Sequence, residues 1–149
     1  VNDIQRALFL KRILAHFKGD LKGKTIALWG LAFKPNTDDI REAPATYLID
    51  EFLSAGASVK AFDPEAMKNV KAIYGEKVAF VENQYEALEN ADFLVIATEW
   101  NVFRSPDFKK IKDTLKMSLI FDGRNLYDLQ IMRDMGYKYF SIGREVING

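Results

Sequence analysis

The chain has 149 residues, with 21 Lys+Arg balanced by 21 Asp+Glu, one histidine and no cysteine. That length suits one domain, and 48% hydrophobic residues supply its core. Zero net charge argues against a nucleic-acid or other general polyanion binder, and the missing thiols exclude disulfides, thiolate metal sites and a cysteine nucleophile within the chain.

In chain order, residues 2–18 read as a helix that Asn2 or Asp3 can cap, with Leu10, Ile13, Leu14 and Phe17 on one stripe. His16, on this helix, reads as exposed and silent. Lys24–Gly30 is an apolar run ending in glycine, which suits a strand buried on both faces. A polar loop from Lys34 to Glu42 leads to a helix opened by Pro44, buried through Ala45, Leu48, Ile49 and Phe52 and stopped at Gly56. Ser58–Phe62 reads as a strand, Asp63–Tyr74 as a helix, Val78–Val81 as a short strand and Gln84–Glu89 as a short helix. Asp92–Thr98 is the clearest buried strand, followed by a helix over Asp107–Leu115. A strand over Ser118–Phe121, a helix over Asp128–Met135 and a strand over Tyr137–Ser141 complete the pattern. Six strands alternating with helices predict an α/β fold: a doubly wound, parallel six-stranded sheet, Rossmann-like, with an amino-terminal helix. No apolar run approaches the ~18 residues of a membrane span, so a cytoplasmic protein with no membrane partner is expected. The start at Val1 suggests a piece of something longer.

Ligands of such sheets sit beyond the carboxyl ends of the strands, where strand order reverses. The loop after the first strand lacks G-x-G-x-x-G and a Walker A pattern. It does carry Lys34 and Arg41 ahead of a helix amino terminus, and Arg124 follows another strand. These cations, with Phe33 and Trp100 as apolar faces, describe a nucleotide-diphosphate site. Each has a plainer reading beside it. Asp38-Asp39 suits turn formation better than acid/base work. Asp63 sits where an acid grips ribose in NAD-binding folds, yet before Pro64 it is a good N-cap. Lys34 and Arg41 can be a solvated pair with neighbouring acids, Trp100 can be a lid over the core, and Lys109, Lys110, Lys112 and Lys116 read as a solvated face. No metal site and no catalytic residue is expected.

The stretch Gly-Leu-Ala-Phe-Lys-Pro-Asn-Thr-Asp-Asp-Ile-Arg-Glu-Ala-Pro (Gly30–Pro44) resembles the signature loop of the UDP-glucose/GDP-mannose dehydrogenase family, in its carboxy-terminal UDP-sugar-binding domain. Ala61–Pro64, Ala97–Trp100 and Phe121–Asp128 agree in order, and Asn2–Arg6 is similar to the helix leading into that domain. Within the family the wording is most similar to UDP-glucose 6-dehydrogenases, with UDP-N-acetylmannosamine and GDP-mannose dehydrogenases as alternatives. The resemblance implies that Phe33, Lys34, Pro35, Asn36, Thr37, Asp38, Asp39 and Ile40 contact a UDP-sugar. It also implies that Arg124 holds the nucleotide end and that Arg41 approaches NAD. Thr98, Glu99 and Trp100 belong to a matching motif without an assigned role. The family oxidises the C6 alcohol in two NAD-linked steps through a cysteine-bound intermediate, and its Gly-rich cofactor loop and nucleophilic cysteine lie outside the matching region. Residues 1–20 are therefore expected to end a linker helix and 21–149 to form a UDP-sugar-binding lobe, inactive alone, whose partners are the rest of the enzyme and a second copy in a homodimer. A stand-alone nucleotide-sugar-binding module is the rival. A receiver-type phosphorylation domain fits poorly, because Phe33-Lys34, Glu82-Asn83 and Arg124 stand where its acids and lysine belong.

Overall fold

Short apolar runs bounded by glycine or acidic residues cannot bury themselves as helices, and each becomes a strand with a helix or turn returning over the sheet. The computed structural model describes the backbone of residues 2–149 and the side chains from residue 4 onward. The strands are β1 (Thr25–Trp29), β2 (Ser58–Phe62), β3 (Ala79–Phe80), β4 (Phe93–Ile96), β5 (Leu119–Asp122) and β6 (Lys138–Phe140). The helices are α1 (Asn2–His16), α2 (Pro44–Ser54), α3 (Met67–Tyr74), α4 (Asn101–Arg104), α5 (Phe108–Thr114) and α6 (Leu129–Asp134). The sheet order is β3-β2-β1-β4-β5-β6, with every neighbouring pair parallel. This is the expected doubly wound, Rossmann-like sheet.

The central strands explain why the sequence folds this way. Leu28 of β1 sits opposite Ala61 of β2 on one side and Val95 of β4 on the other. All four residues of β4 and of β5 are buried, as a parallel sheet covered on both faces requires. Phe9, Leu10 and Ile13 of α1 enter the same core as Trp29, Phe52, Phe93 and Phe121. Aspartates cap two of the helices: Asp107 accepts from the N–H of Lys110, and Asp128 from those of Gln130 and Ile131.

Several boundaries differ from the sequence reading, each for a local reason. The first helix stops at His16 because Lys18 and Gly19 take positive φ (56° and 80°), and the Gly19 N–H donates back to the Leu14 carbonyl. The expected cap by Asn2 or Asp3 lies outside the described side chains. The helix expected from Asp63 begins at Met67, because the Asp63 carboxylate turns into the core and draws Pro64-Glu65 into a turn. The strand expected over Val78–Val81 pairs only at Ala79 and Phe80, on the sheet edge, and the short helix over Gln84–Glu89 is a 3-10 turn at Glu86–Leu88. The clearest buried strand, expected over Asp92–Thr98, pairs only as Phe93–Ile96. The four-residue α4 is an element that periodicity could not reveal.

His16 is half-buried, not exposed. Its ring meets Phe17, Phe121 and Phe140 edge-on, at centroid distances of 4.8, 5.9 and 5.5 Å. After β6 the chain returns through a bridge between Tyr139 and Ile147. There Arg144 donates to the Tyr139 hydroxyl at 2.8 Å and to the Tyr127 carbonyl at 3.0 Å. Among the described residues no helix is long and apolar enough to cross a membrane.

Candidate functional site

Strand order reverses between β1 and β4, whose following loops part to opposite sides and open a crevice at the carboxyl edge of the sheet. The two loops are locked together at the base of that crevice. Gly30 has φ +98°, and a Cβ there would lie 2.6 Å from both the Cβ and the backbone nitrogen of Thr98. Only glycine tolerates both the angle and the approach. Thr98 Oγ1 donates to the Ala32 carbonyl at 2.7 Å, and the Gly30 N–H donates to the Phe62 carbonyl at 2.9 Å.

Asp63 is the hub of the edge. Its fully buried carboxylate accepts from the N–H groups of Leu31 (2.7 Å), Ala32 (3.0 Å), Glu65 (2.8 Å) and Ala66 (2.8 Å) and from Trp100 Nε1 (3.0 Å). Five donors occupy its acceptor sites. Asp63 is therefore a structural anchor and has nothing left to offer a ribose. Trp100, only 8% exposed, is held in the core by this bond. It does not line the cleft, so Phe33, 43% exposed, is the aromatic face that remains at the edge.

The cleft itself is a cavity of about 320 Å³ at the ends of β1, β4 and β5. Phe33, Lys34 and Arg124 line it, together with Arg6 and Phe9 of α1 and Glu42 just before α2. Three cations and one carboxylate thus surround an apolar floor that includes Ile96 and Leu48. Pro44 opens α2 against the same cavity. No side chain among those described caps that helix, so its free N–H groups add to the positive field.

The sequence-predicted residues divide between two places. Thr37, Asp38, Asp39, Ile40 and Arg41 border a second, shallower depression with Asn69, whose side-chain amide donates to the Asp38 carbonyl at 2.9 Å. Pro35 and Asn36 line neither, and Asn36 turns the loop with φ 65°. Arg41 is 87% exposed and meets Asp39 through Nε at 3.0 Å and Nη2 at 2.9 Å. That side-chain bond, with the Arg41 backbone N–H, holds the Asp39 carboxyl at about 2. The three predicted cations do not all converge: Lys34 and Arg124 share the cleft, and Arg41 borders the shallower depression instead.

Arg124 is fixed at both ends. Its backbone N–H donates to Asp122 Oδ1 at 2.8 Å, and its Nη2 donates to Glu99 Oε2 at 2.7 Å. Burial pushes the Glu99 carboxyl up. Burial is the largest single influence, but the Arg124 hydrogen bond, the Glu99 N–H and the charges of Arg124 and Arg104 together outweigh it, and the net shift is downward. Asp122 also accepts from the N–H of Leu126 and from the Tyr139 hydroxyl.

Sequence reasoning gave no site role to Arg6, Phe9 or Glu99, although Arg6 and Glu99 lie in matching segments. For Arg6 a signal existed: it lies three positions before Phe9 and seven before Ile13, on the stripe that faces the sheet. Its guanidinium carbon stands 5.3 Å from the Tyr47 ring centre, at the wall of the cleft. Among the described residues no group of three or more His, Cys, Asp or Glu could hold a metal ion. A dinucleotide does not fit this edge in the usual way, since the Gly-rich turn is absent and Asp63 is consumed. What the cleft can do is bind: cations for a diphosphate, apolar faces for a sugar or base, and no thiol for covalent chemistry.

Comparison with known proteins shows the family. The model of the UDP-glucose/GDP-mannose dehydrogenase family, UDP binding domain, matches residues 27–129. The chain is 45% identical to a UDP-glucose 6-dehydrogenase of Pseudomonas aeruginosa, over 96% of this chain and 33% of that protein. It is 43% identical to UDP-glucose 6-dehydrogenase TuaD of Bacillus subtilis, over 99% of this chain and 32% of that one. Among solved structures, an NDP-N-acetyl-D-galactosaminuronic acid dehydrogenase from Methanosarcina mazei superposes with a TM-score of 0.77 at 28% identity, covering 94% of this chain and 29% of that one. A UDP-glucose dehydrogenase from Pyrobaculum islandicum gives 0.71 at 31% identity, covering 84% and 27%. The chain spans about a third of the length of the curated relatives it matches. It belongs to the UDP-glucose/GDP-mannose dehydrogenase family and corresponds to that family's UDP binding domain.

Proposed function

We propose that this chain is the UDP-sugar-binding lobe of an NAD-dependent UDP-glucose 6-dehydrogenase, with residues 21–149 as the binding domain and residues 1–20 as the end of a linker helix. The observation that carries the reading is the cleft at the β1/β4 switch point, where Phe33, Lys34 and Arg124 meet Arg6 around an apolar floor. Lys34 and the Arg124 fork suit a diphosphate, and Phe33 offers a face for the sugar or uracil. Thr37 to Ile40 extend the contact along the neighbouring depression, and Pro35-Asn36 turn the chain between the two. Arg41, outside the cleft and exposed, is the lobe's contribution to NAD, which is otherwise held by another part of the enzyme. Cytoplasmic placement and assembly as a homodimer belong to the same proposal.

The test is calorimetry of the 149-residue chain with UDP, UDP-glucose, UDP-N-acetylmannosamine and GDP-mannose. The uridine sugars bind and GDP-mannose does not compete, with UDP-glucose preferred. Losing a charge-assisted contact costs about 1.5–3 kcal/mol, so Arg124→Ala weakens binding about tenfold or more. Unchanged affinity in that variant removes Arg124 from the site. The chain alone, having no cysteine, produces no NADH from UDP-glucose, and a measurable rate would overturn the reading of it as a binding lobe.

A further inference from the structure

Arg124 lines the cleft, but the group that holds it there does not. Glu99 lies on the loop after β4, and Arg124 on the loop after β5, so their ion pair crosses the gap between neighbouring strand ends. The pair is short, 2.7 Å, and only partly exposed, with 39% of the Arg124 side chain and 25% of the Glu99 side chain reaching solvent. Glu99 Oε2 takes one Nη2 proton, while Oε1 is buried with no well-formed hydrogen bond among the described residues. A largely buried carboxylate whose one cross-loop hydrogen bond goes to a guanidinium holds that guanidinium firmly. The Arg124 backbone is anchored independently through Asp122. One end of a long, flexible side chain is thus fixed by the main chain and the other by Glu99, which leaves the remaining donors of the fork to the cavity.

Glu99 is itself held in place. Thr98 before it is wedged against Gly30, and Trp100 after it is bonded to Asp63. The Thr98-Glu99-Trp100 segment therefore has a distinct task for each residue: locking the first loop, aiming Arg124, and closing the Asp63 hub.

We infer that Glu99 is a positioning residue for ligand binding, acting through Arg124 by presetting its guanidinium toward the anionic group in the cleft. The inference rests on the UDP-sugar reading of that cleft. Two effects of Glu99 oppose each other. Its charge repels a diphosphate, and its anchoring removes the entropy cost of ordering Arg124 on binding. Substitution separates them, because glutamine keeps an acceptor oxygen and loses the charge, whereas alanine loses both.

The experiment is UDP binding to the 149-residue chain carrying Glu99→Gln or Glu99→Ala, each in the parent and in an Arg124→Ala background. Glu99→Ala binds UDP about 3- to 10-fold more weakly than Glu99→Gln, the cost of ordering one long side chain on binding. In the Arg124→Ala background the two variants become equal. Equal affinities in the parent background, or a gap that persists without Arg124, would overturn the inference, since the latter result makes Glu99 a general structural residue. A parent chain that binds no UDP overturns the proposed function along with it, while a binding parent with indifferent variants overturns this inference alone. Should Glu99→Ala fail to fold, nitrogen-15 relaxation of the unsubstituted chain decides. The Arg124 Nε–H is then as rigid as its backbone, and the mobility of a freely solvated arginine side chain at that position sinks the idea.

Discussion

Asp63 shows how one residue can look functional and prove architectural. Its place at the end of β2 offers two readings, a ribose grip and a cap; the cap-like bonds to the Glu65 and Ala66 N–H groups are present, and the sequence holds no signal for a third role beside them. That third outcome depends on Leu31, Ala32 and Trp100, some 30 to 37 residues away, donating to the same carboxylate. Asp63→Ala leaves five donors, four of them buried, without their acceptor, a loss expected to exceed about 3 kcal/mol in a denaturant titration. Gly30→Ala meets both an unfavourable φ and the Thr98 backbone, and it lowers stability by about 2 kcal/mol or more in the same measurement. Gly30 was legible as the end of a strand, but Thr98 as its contact was not, because spacing along the chain carries no record of which loops meet. That Lys34 and Arg124 line one cleft was legible because each lies in a loop after a strand, and topology alone brings strand ends together. Arg41 has the same local credentials. Asp39, two residues before it, captures its fork instead.

At the scale of elements, α1 is where the sequence reading and the structure differ most in consequence. Its stripe was visible in the spacing of Leu10, Ile13 and Leu14, and its burial of His16 was not. Burial lowers the pKa of His16, and the nearby Lys138 charge adds to this, outweighing any help to the charged form from the helix carboxyl end. With the folded value below the ordinary 6.5, the unfolded chain binds more protons in the interval between the two. Stability is therefore fully present above about pH 6.5 and declines as pH falls through the folded value. As the only histidine, His16 gives a single imidazole signal in an NMR titration, with a midpoint below 6.5. His16→Phe removes this group's share of the acid-side loss. A normal midpoint would mean that the ring is solvated and the aromatic contacts are absent.

For the molecule as a whole, α1 packs into the same core as the sheet. Phe9, Leu10 and Ile13 are each less than 10% exposed, and burying such side chains contributes about 1.5–3 kcal/mol apiece. Their sum is comparable with the ~5–15 kcal/mol that holds a domain of this size folded. A chain beginning at Lys18 is accordingly expected to lose cooperative thermal unfolding and near-ultraviolet circular dichroism, and with them the Arg6 wall of the cleft. A sharp transition in that truncation would show that the sheet stands without the helix. The six-strand alternation that predicted the sheet was legible because parallel strands read as unbroken apolar runs. The partnership between α1 and the far edges of β4, β5 and β6 was not, since nothing in a helical stripe names the surface it covers.

The missing Gly-rich turn has a further consequence. A phosphate cradled by backbone amides is indifferent to most substitutions, because every residue supplies the same N–H. In this cleft the positive charge comes mainly from side chains, Lys34, Arg124 and Arg6, drawn from three separate segments. Recognition built that way is adjustable one codon at a time, and it weakens with ionic strength as exposed charges are screened. A cleft of this kind can change its preferred anion without rebuilding its fold, whereas a turn made of glycines has no such freedom.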